Sequence, residues 1–72
     1  MYILNLHSSP KNKYFTFEKS VERKINANSL DDAIDTAKFL MKEATWSFLY
    51  AQDNVLFFDS PAGCGVVILT KV

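Results

Sequence analysis

The chain has 72 residues, of which 49% are hydrophobic and 14% aromatic, and eight basic residues balance eight acidic ones. This length leaves room for one hydrophobic core, so we expect a single α+β domain over residues 1–72. The formal net charge of zero argues against nucleic acid as the main ligand, because phosphate binding draws on a surplus of lysine and arginine. It equally excludes a globally acidic mimic of DNA.

The single cysteine, Cys64, cannot form an intramolecular disulfide, and a reducing cytoplasm is therefore the expected compartment. The sequence does not start with a basic segment followed by a long apolar one, as a secretory signal would. No apolar run approaches the roughly 20 residues that a membrane-spanning helix needs. We therefore expect neither export nor membrane insertion.

The first third of the chain predicts extended structure. Residues 2–7 alternate apolar and polar side chains, which is typical of a half-buried strand, and residues 8–12 have the composition of a loop. Residues 13–27 continue a two-residue alternation for longer than the common strand length of about 3 to 10 residues. This segment is either one long bent strand or two strands, and we favour a bulge or turn near Lys19 and Ser20.

A helix is predicted to begin after Ser29 and to end near Ala44 and Thr45. Ser29 has the spacing of a capping residue, and Asp31 and Asp32 place negative charge on the first turn, where the helix dipole favours it. Apolar residues then recur at three- and four-residue spacing, as expected of a face packed on a core. This stripe consists of Leu30, Ala33, Ile34, Ala37, Leu40, Met41 and Ala44.

The last third predicts three further strands. Residues 45–50 and 55–58 flank turn-forming residues 52–54 and form the clearest hairpin, whereas residues 60–65 have the composition of a loop. Residues 66–71 are apolar on both faces, which favours a central strand buried on both sides. The predicted fold is one amphipathic helix packed on an antiparallel sheet of four to five strands, in the chain order β-β-(β)-α-β-β-β.

The residues needed for self-contained catalysis are missing. His7 and Cys64 could form a nucleophilic pair if their loops meet, but a strand-end histidine and an adaptable thiol between two turn glycines are the more common arrangement. A closed zinc site wants four Cys or His ligands, and the chain has two. The carboxylates of Asp31, Asp32 and Asp35 are explained by helix capping. We expect no enzyme, no catalytic residue, no metal and no cofactor.

Phe39 is the least expected residue of the helix. At about 100° per residue it lies opposite the apolar stripe, among Asp32, Asp35, Thr36 and Glu43. Single exposed hydrophobic residues are common, but aromatic side chains also anchor protein interfaces, and surrounding acids can steer a basic partner. We therefore predict a partner-binding surface formed by Phe39, Asp32, Asp35 and Glu43.

A second, basic and aromatic patch is predicted on the first hairpin. Its residues are Lys11, Lys13, Tyr14, Lys19, Arg23 and Lys24, with Phe15 and Phe17 between them. Basic and aromatic residues on a sheet can hold single-stranded nucleic acid. Lysines on a solvated sheet edge, where they discourage aggregation, are the more common explanation.

Residues 25–37, with the sequence INANSLDDAIDTA, run from an extended segment into a capped helix, and three predicted strands follow. This layout resembles small phage-encoded anti-CRISPR proteins, in particular inhibitors of type I effector complexes. The resemblance covers about a third of the chain. It implies a cytoplasmic inhibitor, in the host bacterium if phage-encoded, that occupies a nucleic-acid-binding surface of the effector complex by protein contact.

Two other binding functions remain alternatives. An antitoxin-like module would also pair a small sheet with one helix, although the Pro-Asp-x-x-Gly signature of one such family is absent. A single-stranded nucleic-acid-binding protein would use the patch on the first hairpin. In each case we expect no membrane partner, and the chain could be a monomer or a homodimer.

Overall fold

The computed structural model of the chain describes residues 1–10 and 19–72. These residues form one helix and five strands, in one antiparallel sheet of order β2-β1-β5-β4-β3. The elements are β1 (Tyr2–Pro10), β2 (Lys19–Ile25), α1 (Leu30–Glu43), β3 (Ser47–Gln52), β4 (Val55–Ser60) and β5 (Gly63–Lys71). The predicted α+β class, with one helix and an antiparallel sheet, is confirmed.

The strand order before the helix differs from the prediction. β2 is the one strand between β1 and α1 in the described part of the chain, and it ends at Ile25. Its pairing with β1 runs in unbroken register from Lys19 opposite Ser8 to Ile25 opposite Tyr2. The break expected near Lys19 and Ser20 therefore does not separate these two residues, whereas the earlier part of the predicted segment, residues 13–18, lies outside the described residues.

Two predicted loops are in part strand. Residues 8–10 belong to β1 and residues 63–65 to β5, because these two ends pair with each other, Ser9 opposite Cys64 and Pro10 opposite Gly63. A Cβ at position 63 would collide with the carbonyl oxygen of Ser9, so the close approach of the backbones requires glycine there. The loop prediction was wrong for these residues because their loop-like composition reflects a close contact between two strands.

The helix has the predicted start and end. The backbone N–H of Asp32 donates to Ser29 Oγ at 3.2 Å, as the capping prediction requires. At the C-terminus Thr45 has a positive φ of 67°, and the N–H groups of Thr45 and Trp46 donate to Lys42 O (3.0 Å) and Met41 O (2.9 Å). This is a Schellman motif with threonine in the left-handed position.

The core lies between α1 and one face of the sheet. Ala33, Ala37 and Met41 are the buried residues of the helix, and Leu30, Ile34 and Leu40 pack at its margin. The sheet contributes Tyr2, Leu4, Ile25, Leu56, Phe58, Val67 and Leu69. Ala44, predicted as the last member of the apolar stripe, is exposed because it is the C-terminal cap and no longer follows the helical spacing.

The opposite sheet face, which we call the helix-free face, is not covered by any described helix. β5 is the central strand, as predicted, but the prediction of burial on both sides is wrong. Along β5 buried residues alternate with the half-buried Cys64, Val66 and Ile68, which lie on the helix-free face. The second set of apolar side chains is thus left partly open to solvent.

Candidate protein-binding surface

The outer face of α1 carries the predicted partner-binding residues together. Phe39 is 61% exposed, and Asp32, Asp35 and Glu43 are also exposed. These acids are seven and four residues before Phe39 and four after it, so they flank the ring along one side of the helix, within about 40° of it. The side-chain spacing therefore combines one large aromatic ring with three carboxylates on a single convex surface.

An open groove of about 610 Å³ borders this surface near the start of the helix. It is lined by Met1, Asn26, Ala27, Asn28, Asp32, Asp35 and Thr36. The helix supplies both carboxylates, and the segment that follows β2 supplies the two asparagine side chains. Two of the acids that flank Phe39, Asp32 and Asp35, thus also line this groove and offer carboxylates to a cationic group.

The lysine next to Phe39 in the sequence faces elsewhere. Lys38 lies with its Nζ 4.4 Å from the centroid of the Phe48 ring, a cation–π contact with β3. Its ammonium group is therefore directed towards the sheet and does not neutralise the carboxylates around Phe39. Lys42 is exposed and lies three residues after Phe39, about 60° from it, so the outer helix face carries three carboxylates and one ammonium group and remains acidic in balance.

The basic patch is not brought together in the described residues. Arg23 and Lys24 are exposed but adjacent in β2, so they point to opposite sides of the sheet. The remaining members fall where no side chain is described; they are Lys11, Lys13, Tyr14 and Lys19. The described part of the patch is an edge strand with charges on both faces.

His7 and Cys64 lie on neighbouring strands of the sheet. In the antiparallel pairing of β1 and β5, His7 is opposite Val66 and Ser9 is opposite Cys64. His7 and Cys64 are therefore diagonal neighbours on the helix-free face, a relation that places such residues about 7–8 Å apart. The partner of the thiol is the buried Ser9, whose Oγ is 3.0 Å from Cys64 Sγ.

Sequence reasoning missed a second surface, on the helix-free face at β3. A β-bulge lies between Phe48, opposite Phe58, and Tyr50, opposite Phe57. The extra residue, Leu49, consequently lies on the same face as Tyr50.

Tyr50 stacks on Phe57 with ring centroids 4.5 Å apart, beside an apolar groove of about 320 Å³. The other groove residues are Leu49, Phe58, Asp59, Cys64, Gly65 and Val66. The run Phe48-Leu49-Tyr50, which breaks the polar–apolar alternation, was the signal available in the sequence.

Comparison of this chain with known protein families, characterised proteins and solved structures finds no match in any of the three. Within the described residues, no group of three or more His, Cys, Asp and Glu side chains is placed to hold a metal ion. The same part of the chain contains no helix long and apolar enough to cross a membrane. The function must therefore be argued from the surfaces themselves.

Proposed function

We propose that this chain is a non-enzymatic inhibitor that acts by binding another protein through the outer face of α1. The observation that carries the proposal is the 61% exposure of Phe39 between exposed carboxylates. A hydrophobic ring left in water has no role in the core of this fold, whereas buried aromatic anchors surrounded by polar residues account for much of the binding energy of protein interfaces.

The charge around Phe39 suggests what kind of protein is bound. Asp32, Asp35 and Glu43 would attract a basic surface and speed its association. Surfaces that bind nucleic acid are rich in lysine and arginine because they contact phosphates. The proposed partner is therefore the nucleic-acid-binding surface of a bacterial protein, and the resemblance to anti-CRISPR proteins makes a type I CRISPR effector complex the first candidate.

The direct experiment measures binding of the purified chain to a purified type I effector complex, and binding of target DNA to that complex in its presence. We expect the wild-type chain to bind and to displace DNA. Phe39→Ala should weaken protein binding by roughly 2 kcal/mol or more, about 30-fold, without loss of fold. Asp35→Lys should also weaken protein binding, and the loss of affinity should be larger at low salt than at high salt because ions screen exposed charges.

Val21→Ala is the matched control, since Val21 is 55% exposed but lies on the edge strand β2 and not on α1. It should leave binding unchanged. If the wild-type chain does not bind the effector complex, the proposed partner is wrong. If the Phe39→Ala variant unfolds, the ring has a structural role. Binding to a labelled oligonucleotide with a steep salt dependence would favour the nucleic-acid alternative instead.

A further inference from the structure

The helix-free face is more apolar than the solvent face of an antiparallel sheet needs to be. In an antiparallel sheet with one covered and one solvated face, apolar residues normally point to the covered face and polar residues to the solvated face. Here the residues that face away from α1 on the three strands β3, β4 and β5 are largely apolar. By the strand register they are Leu49, Tyr50, Val55, Phe57, Asp59, Cys64, Val66, Ile68 and Thr70, with Ser47 and Gln52 at the two ends of β3.

The bulge in β3 concentrates exposed apolar surface on this face. Leu49 and Tyr50 are consecutive residues, yet they share one side of the sheet and are 57% and 55% exposed. The same bulge interrupts the outer edge of β3, and bulges at edges hinder the addition of another strand. β3 is therefore better suited to contact a partner through the side chains on its face than through backbone hydrogen bonds along its edge.

Charge distribution on the helix-free face favours contact with an identical surface. In a two-fold symmetric interface a patch meets its own copy, so buried charges of one sign would oppose each other. On this face β3, β4 and β5 carry one formal charge, Asp59, which lies opposite Ser47 at the end of the β3–β4 pairing and lines the apolar groove. Further charges, Glu22 and Lys24, lie on the distant edge strand β2.

The size of the face agrees with a weak dimer. Five strands about 4.8 Å apart, with about seven residues each at about 3.4 Å, cover roughly 550 Å² per copy. Two copies would bury on the order of 1,100 Å², which is below the about 1,200 Å² at which stable specific interfaces begin and falls in the range of weak, transient ones. Half of that interface is about a ninth of the 4796 Å² surface of the chain.

We propose that two copies of this chain associate through their helix-free faces, sheet against sheet. The most apolar part of this interface lies on β3, β4 and β5 and includes Leu49, Tyr50, Phe57 and Val66, whereas β1 and β2 contribute mainly polar residues. Sheets that pack in this way lie about 10 Å apart. The two helices then lie on the outside, so the dimer presents two Phe39 surfaces.

Sedimentation equilibrium of the full chain tests the proposal, over loading concentrations from about 1 µM to about 1 mM. The average mass should rise from that of one chain, 8.2 kDa, towards twice that value. Leu49→Lys and Tyr50→Lys each place a charge in the most apolar part of the interface and should raise the dimer dissociation constant at least tenfold. Both positions are more than half exposed, so folding should be preserved.

Phe39→Lys is the matched control, because Phe39 is similarly exposed but on the opposite layer, and it should leave the dissociation constant unchanged. A second readout uses Cys64, which lies on the helix-free face. Its reaction with a thiol reagent should slow as protein concentration rises. Each of three results would overturn the proposal. The wild-type chain could stay monomeric at the highest concentration, the Leu49→Lys and Tyr50→Lys variants could dimerise normally, or Phe39→Lys could weaken the dimer as much as they do.

Failure of this interface is distinguishable from failure of the proposed inhibitor function. Phe39→Lys should abolish binding of the partner protein while the dimer persists. Leu49→Lys should abolish the dimer, whereas each monomer should still bind the partner protein because its Phe39 surface is intact.

Discussion

The indole ring of Trp46 lies over Gly65, so close that a Cβ added at position 65 would be 3.1 Å from Trp46 Cζ3 and 3.2 Å from Leu6 Cδ1. Trp46 follows directly on the helix C-terminus, and Gly65 lies near the start of the central strand. Their contact packs the segment that leaves α1 against the central strand of the sheet.

Gly65→Ala should therefore lower the free energy of unfolding by about 1–2 kcal/mol, because the added methyl group overpacks the contact. Urea denaturation measures this difference. In a Trp46→Phe background the smaller ring leaves space, and the same substitution should cost less. An equal cost in both backgrounds would contradict the role assigned to the Trp46 ring.

Gly63→Ala should be more damaging than Gly65→Ala. The new Cβ would strike the backbone carbonyl oxygen of Ser9, and Gly63 also has a positive φ of 157° that residues with a Cβ rarely adopt, so the paired backbones of β1 and β5 would have to shift. We expect a loss of more than about 3 kcal/mol, measured by thermal unfolding followed by circular dichroism. Ala62→Gly, in the adjacent exposed turn, is the control, and a similar loss there would point to the turn instead of the strand contact.

Thr45→Gly should raise the stability of the chain. Thr45 has a φ of 67°, a conformation that costs a residue with a Cβ about 1–2 kcal/mol. Glycine removes this cost but loses the 2.6 Å hydrogen bond from Thr45 Oγ1 to Ala44 O, which is exposed. We expect a net gain of about 1 kcal/mol in urea denaturation.

Asp53 provides the comparison for Thr45, because it also has a positive φ, 55°, in the β3–β4 turn. Aspartate tolerates the left-handed region better than a β-branched residue does. Asp53→Gly should consequently give a smaller gain than Thr45→Gly. A destabilised Thr45→Gly variant would mean that the threonine hydrogen bond outweighs the backbone cost.

Ser29→Ala should cost about 1 kcal/mol, since the N–H of Asp32 loses its acceptor at the helix start. Ser29→Asp should retain most of the stability because its carboxylate can accept the same bond. Both are measured by chemical denaturation against wild type. Equal losses in the two variants would show that the serine acts by something other than capping.

How far the sequence predicts the fold depends on the range of the interactions. The helix start at Ser29 and the hairpin around Asp53 were predictable because capping and turn formation involve residues a few positions apart. The extension of β1 to Pro10 was not, because it depends on pairing with Gly63, more than fifty residues away. Local composition at both ends indicated loops.

The same contrast holds for the candidate sites. Helical spacing alone predicted that Phe39 would lie away from the core, and the ring is exposed. The apolar groove on the helix-free face was not predictable, because it combines a bulge at Leu49 with strand pairing that brings Phe57 next to Val66. Bulges change side-chain direction by one residue, which a simple alternation cannot anticipate.

By itself, then, the sequence determined one capped amphipathic helix, a β3–β4 hairpin and an aromatic residue on the acidic helix face, because periodicity and capping are local. Tertiary structure decided that β1 and β5 lie side by side at the centre of the sheet. It also decided that the apolar residues of β5 have cover from α1 on one face only. A single helix can pack on only one face of a sheet, so no helix in the described part of the chain covers the second face.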